Sequence, residues 1–151
     1  MKVLIAGGAG FIGSHLVERF RGSHEVVVLD HFGSGHNRLS GVEYLSHDVA
    51  EPLSVDCDLI LHFASRASPP DYQANPLDTI HANSLGTRNL VCLAEAQSAR
   101  LVFASTSEVY GNPAVIPTPE SCWGRVNSCG PRSCYDESKR LGEAYCYEFF
   151  R

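Results

Sequence analysis

The sequence predicts an α/β protein built on a doubly wound, all-parallel sheet with strand order 3-2-1-4-5. Three observations lead there. Short apolar runs of strand length alternate with segments of helical periodicity. The strand-like runs are continuously apolar, as strands covered on both faces must be. A glycine cluster joins the first such run to the first helical segment, and an aspartate closes the second run.

The elements follow in order. Lys2 to Ala6 is a buried strand closed by glycine. Residues 11–20 carry Ile12, Leu16, Val17 and Phe20 at helical spacing, and Gly22-Ser23 ends that helix. Residues 25–29 (EVVVL) are β-branched and read as a second buried strand, with Asp30 at its end; residues 42–45 form a weaker third strand before Asp48. Residues 59–64 give the fourth. Asn75-Pro76 reads as a helix start, with Asn as N-cap and Pro in the first turn. That helix runs to about Gln97, with Leu77, Ile80, Leu85, Leu90, Val91 and Ala94 expected to face inward. Residues 101–104 make the fifth strand. Pro113, Pro117, Pro119 and Pro131 then mark an irregular loop, and Ser133 with Asp136 three residues on suggests a capping box opening a last helix from about Cys134.

Composition narrows the function classes. The 151 residues suit one domain, with 44% hydrophobic and 19% charged residues. A net charge of -5 with no basic block speaks against nucleic acid as a partner. No apolar run reaches the roughly 18 residues of a membrane span, and the first residues lack a signal-peptide pattern. Cys57, Cys92, Cys122, Cys129, Cys134 and Cys146 form no CxxC pair. They read as reduced thiols of a cytoplasmic protein rather than disulfides or a zinc site, and no metal is expected.

The glycine cluster Gly7-Gly8-Ala9-Gly10-Phe11-Ile12-Gly13 carries the first chemical signal. Gly7 suits a tight turn, Gly10 lets backbone approach a pyrophosphate, and Gly13 lets helix and strand pack closely. The free amides at Phe11 and Ile12 add the positive end of the helix dipole. Asp30 ends the second strand where a carboxylate accepts hydrogen bonds from ribose hydroxyls and repels a 2′-phosphate, which favours NAD over NADP. His31, Gly33, Ser34 and Asn37 follow in a polar loop; Arg38 is the feature that could accommodate NADP. Asp48 and Val49 border the adenine side. The whole chain, residues 1–151, is thus expected to be a Rossmann-like NAD-binding domain.

Tyr135 and Lys139 are the second signal. Four residues apart on a helix, they share a face. A phenol with an ordinary pKa near about 10 is a poor base at neutral pH, but a neighbouring ammonium stabilises its phenolate. The pair can then take a proton from an alcohol while hydride leaves the carbon. Thr106 and Ser107 lie just beyond the fifth strand's C-terminal end, where such sheets place ligands.

Over its whole length the sequence resembles an extended short-chain dehydrogenase/reductase. The likeness rests on the glycine loop, His62-Phe63-Ala64 and the Tyr135–Lys139 pair. Residues 104–111 (ASTSEVYG) and 130–140 (GPRSCYDESKR), with Ala64-Ser65, Ser68-Pro69-Pro70 and Cys122-Trp123-Gly124, resemble the UDP-glucuronate decarboxylase (UDP-xylose synthase) group. The resemblance implies an NAD-dependent enzyme acting on a UDP-sugar through a 4-keto intermediate. Tyr135 would be base, Lys139 its electrostatic partner and Thr106 the residue orienting the hydroxyl. Glu108 would sit by the sugar ring, Ala64, Tyr135 and Lys139 against the cofactor, and Ser107 and Arg132 against the sugar or its diphosphate. Asn83 matches an Asn near the catalytic pair. Arg66 departs from the family, which usually carries Pro there. A 4-epimerase, a 4,6-dehydratase or a non-catalytic NAD-binding fragment are the rival readings. Family members continue into a substrate domain absent here, work as homodimers, and would leave residues 1–151 alone inactive.

Overall fold

The computed structural model describes residues 1–151. A five-stranded parallel sheet has the order β3-β2-β1-β4-β5, from β1 (Lys2–Ala6), β2 (Glu25–Asp30), β3 (Glu43–Ser46), β4 (Leu59–His62) and β5 (Arg100–Phe103). Leu4 pairs with Val27 on one side and Ile60 on the other, and Ile60 pairs with Leu101. Because side chains alternate across a strand, one face of the sheet carries Leu4, Ala6, Val27, Leu29 and Ile60. The other carries Val3, Ile5, Val26, Val28 and Leu61. Helix α4 (Thr87–Gln97) covers the first face through Leu90, Leu93 and Ala94. Helix α1 (Phe11–Phe20) covers the second through Val17. Burial on both faces is what the unbroken apolar runs require.

Three further helices complete the chain: α2 (Pro69–Ala74), α3 (Pro76–His81) and α5 (Ser133–Phe150). Helix α2 and the 3₁₀ turn Ser107–Tyr110 have no counterpart in the sequence reading. Both are short, and α2 hides in a Pro-Pro segment whose prolines fit the first helical turn.

The expected 76–97 helix is continuous but carries a π-helical turn at Ala82–Gly86. Its inward stripe differs from the expected one: Leu77 is 65% and Leu85 42% exposed, whereas Thr79, Asn83 and Thr87 are fully buried. Counting apolar residues misplaces the stripe because its first half is polar. Thr79 Oγ1 donates to the Asn75 carbonyl at 2.8 Å and Thr87 Oγ1 to the Asn83 carbonyl at 2.7 Å, so burial leaves these hydroxyls satisfied. Ile12 on α1 is likewise exposed.

Neither expected side-chain cap forms. Asn75 precedes α3, but its Nδ2 turns back to donate to the Asp71 carbonyl and carboxylate at 3.0 and 3.1 Å. Helix α5 begins at Ser133 itself, because residues 130–132 already turn helically and Asp136 N donates to the Arg132 carbonyl. Ser133 is therefore inside the helix, one position too late to cap it.

Candidate functional site

The loop after β1 wraps tightly. Gly7 has φ +81°, and a Cβ there would lie 2.6 Å from the backbone of Phe63 and Ala64. A Cβ on Gly13 would strike the Gly7 carbonyl oxygen and lie 2.7 Å from Gly8 Cα. Gly10 is different: only the Gly7 carbonyl comes near its Cβ position, at 3.3 Å, so its outer face is open. The side chains of Phe11 and Ile12 point to solvent, and their amides, in the first turn of α1, have no acceptor within the chain.

Gly7 and Gly10 border a cleft of about 380 Å³ at the C-terminal ends of β1, β2 and β4, lined also by Asp30, Asp48, Val49 and Ala64. Asp30 is 9% exposed and fixed at both oxygens: Oδ2 accepts from Ala9 N at 3.1 Å and Oδ1 from Phe32 N at 2.9 Å. Each oxygen accepts one hydrogen bond in the chain and has capacity for another. His31, Gly33 and Ser34 line it as well. Asn37 instead ties the loop down, donating its amide to the Ala9 carbonyl and Nδ2 to Ser14 Oγ. Arg38 is occupied elsewhere, its guanidinium 4.0 Å from the centre of the Phe32 ring and 5.5 Å from that of Tyr44. Asp48 accepts from Ala50 N at 2.9 Å, and Val49 packs against Gly86 of the π turn.

The second half of the site gathers on α5. Tyr135 and Lys139 are 7% and 2% exposed. Lys139 Nζ donates to the Ala104 carbonyl at 2.7 Å, just past β5, and sits 4.7 Å from the Phe103 ring centre and 5.9 Å from that of Tyr135. Desolvation in this pocket lowers its pKa to about 8. The Tyr135 ring stacks on Tyr72 of α2, centres 5.2 Å apart and planes 8° from parallel. Asn83 Nδ2 donates to Ser138 Oγ at 3.0 Å, which joins the π turn to α5 between Tyr135 and Lys139.

Thr106 caps the 3₁₀ turn, its Oγ1 accepting from Glu108 N at 3.3 Å; Ser107 is exposed beside it. Glu108 forms an ion pair with Arg132 Nη2, and Arg132 Nε lies 3.9 Å from Asp136 Oδ2. Arg132 thus holds a carboxylate of the chain itself, and Glu108 raises the guanidinium pKa further.

Sequence reasoning passed over Tyr72 and Phe103, and quoted His62 only as part of the His62-Phe63-Ala64 stretch, with no role of its own. His62 is fully buried, bonded through Nε2 to Thr87 Oγ1 at 3.1 Å and packed on Phe103. Desolvation, then the charge of Lys139, lower its pKa to about 3, so it stays neutral. Tyr72 was within reach of the Ser-Pro-Pro signal that precedes it; Phe103 and His62 look like ordinary strand residues in the sequence.

The residues present fit a dinucleotide. The cleft offers an open glycine face for a diphosphate, with the free amides of Phe11 and Ile12 following Gly10 in the chain, and a fixed carboxylate for ribose hydroxyls. The model of the NAD dependent epimerase/dehydratase family matches residues 3–151. UDP-glucuronic acid decarboxylase 1 of Xenopus tropicalis is 48% identical over 158 residues, covering 99% of this chain and 38% of the relative. UDP-glucuronic acid decarboxylase 3 of Arabidopsis thaliana is also 48% identical, covering 100% of this chain and 47% of its own length. Among solved structures, a UDP-galactose 4-epimerase superposes with TM-score 0.87 at 33% identity, over 99% of this chain and 51% of that one. The UDP-glucose 4-epimerase of Thermus thermophilus, solved with NAD, gives 0.79 at 30% identity, over 99% of this chain and 50% of that one. The chain therefore spans less than half the length of these two decarboxylases. With the parallel sheet, the glycine loop and the match over residues 3–151, this chain belongs to the NAD dependent epimerase/dehydratase family, whose cofactor is NAD.

Proposed function

We propose that residues 1–151 are the NAD-binding domain of a UDP-glucuronate decarboxylase, which forms UDP-xylose and CO2 through a 4-keto sugar. Gly7, Gly10, Gly13 and the amides of Phe11 and Ile12 hold the diphosphate; Asp30 holds the adenosine ribose; Asp48, Val49 and Ala64 flank the rest. Bound NAD supplies a reversible acceptor for the hydride of sugar C4, so none is consumed over a turnover.

The chain's own residues do the proton chemistry. Tyr135 takes the proton of the C4 hydroxyl, and Lys139, still mostly protonated at pH 7 with a pKa of about 8, stabilises the phenolate from the same helix face. Thr106 orients the hydroxyl through its own O–H. Once C4 is a ketone, the C5 carboxylate is that of a β-keto acid. Its C–C bond breaks to release CO2, and the electron pair goes into the C4 enolate. A proton then returns to C5. Glu108 faces the sugar with Arg132 fixing its rotamer, Ser107 stands beside it, and Asn83 braces the helix that carries Tyr135 and Lys139. The longer enzyme is taken to be a cytoplasmic homodimer, which sedimentation and fractionation test.

The observation that supports this most is the burial of Lys139 against the Ala104 carbonyl, on one helix face with Tyr135. The likeness to decarboxylases supports the choice of sugar. The test joins this chain to the C-terminal remainder of the Xenopus relative. With NAD+ and UDP-glucuronate, CO2 and UDP-xylose should form without NADH accumulating. Tyr135→Phe should slow oxidation by about 10²–10⁴-fold. Conversion of UDP-glucose to UDP-galactose without CO2 release would instead favour a 4-epimerase.

A further inference from the structure

The charge balance of the cofactor cleft is unfavourable for its ligand. Asp30, Asp48 and Asp78 line it, and Arg66 is the one lysine or arginine that does. A dinucleotide diphosphate brings two negative charges into a space already rimmed by three carboxylates. The dipole of α1 is worth only a fraction of a charge there.

Arg66 is held where a cation is needed. Its loop follows β4. Nη1 pairs with Asp71 Oδ1 of α2 at 2.7 Å, and Nη2 lies 3.7 Å from Asp78 Oδ2 of α3. Nη2 also lies 3.7 Å from the Cβ position of Gly33, in the loop after β2. That loop in turn rests on the glycine loop, since a Cβ on Gly35 would lie 2.8 Å from Gly10 N. The guanidinium therefore spans the two rims of the cleft. Its Nε is buried without a hydrogen-bond partner, as is the hydroxyl of the adjacent Ser65, which also lines the cleft. An arginine with both outer nitrogens near carboxylates and an unused inner N–H has a donor left for a phosphate oxygen.

We propose that Arg66 binds the diphosphate of the dinucleotide from the β4 rim, with Asp71 positioning its guanidinium. The proposal rests on the reading of this cleft as the NAD site. Asp78 is largely exposed, and its longer contact yields to the phosphate. The side chain supplies a positive charge at a rim otherwise lined by carboxylates, which suits a cofactor retained through a catalytic cycle.

The test is a calorimetric titration of the chain, wild type, Arg66→Gln and Arg66→Lys, with NAD+, ADP-ribose and ADP, and an NMR titration with adenosine. Arg66→Gln should weaken the three diphosphates by about tenfold, the scale of one charged hydrogen bond, and leave adenosine unchanged. Its NAD affinity should also fall less steeply with added salt, and Arg66→Lys should recover part of the loss. Unaltered NAD binding in Arg66→Gln, or an equal loss for adenosine and the diphosphates, overturns the role of Arg66 while leaving the cofactor site standing. A wild-type chain that binds no NAD at all overturns both. Thermal melting without ligand verifies that each variant is folded.

Discussion

Replacing Lys139 with methionine should make the protein more stable at neutral pH while disabling the site. The ammonium is 2% exposed, and burial lowers its pKa from 10.5 to about 8. Such a drop corresponds to about 3 kcal/mol of unfavourable charge burial. Methionine keeps the apolar stem but leaves the Ala104 carbonyl without its donor, a cost of about 1–2 kcal/mol. At pH 7 the variant should therefore gain about 1–2 kcal/mol. The sign with pH follows from the lowered value. Between pH 8 and 10.5 the folded lysine is deprotonated while the unfolded one still holds its proton, so wild-type stability rises through that window. The gap should close and reverse, the wild type becoming the more stable near pH 10.5. Urea unfolding of both proteins at pH 7, 9 and 10.5 measures the difference, in which other titrating groups cancel. A Lys139→Met protein less stable at pH 7, with a gap that does not change with pH, would refute the claim that this lysine is held at a cost to the fold.

Two further expectations concern the frame around the site. Gly13→Ala puts a methyl against the Gly7 carbonyl and Gly8 Cα, both backbone, and should cost about 3 kcal/mol or more in urea unfolding; a loss below 1 kcal/mol would mean that the loop can shift. Tyr72→Phe deletes a buried hydroxyl that has no partner while keeping the stack on Tyr135. Stability should hold or rise by about 1 kcal/mol, and a loss above that would reveal a partner for the hydroxyl.

Much of this architecture is legible in the residues. Continuous apolar runs at 3–6 and 26–29 announce strands buried on both faces, and glycine at 7, 10 and 13 announces a loop that backbone approaches closely. The strand order follows from alternation and crossover handedness. What escapes is whatever depends on polar burial or tertiary partners. The inward stripe of Thr79, Asn83 and Thr87 defeats a hydrophobic count because hydrogen bonds, not apolar area, make its burial tolerable. The site lies partly in view: a Tyr and a Lys four apart share a helix face by geometry alone. No local pattern shows that Lys139 ends on the Ala104 carbonyl, that Tyr135 stacks on Tyr72, or that Arg132 reaches Glu108. Each of those pairs is made by chain crossings between separate elements. Asn75 and Ser133 fail as caps for a related reason, since Asp71 and the Gly130 turn compete for them.

The central claim is that the cleft beyond β1, β2 and β4 is an NAD site, and cofactor discrimination tests it most directly. Asp30 is anchored by the amides of Ala9 and Phe32, and Arg38 is committed to the Phe32 ring, so a 2′-phosphate meets a fixed carboxylate while Arg38 is engaged elsewhere. Parallel calorimetric titrations of the chain with NAD+ and NADP+ should give saturable one-to-one binding of NAD+, tighter than NADP+ by about tenfold or more. Asp30→Ala should narrow that ratio. Equal affinity for the two cofactors in the wild-type chain, or no saturable binding of either, would contradict the account.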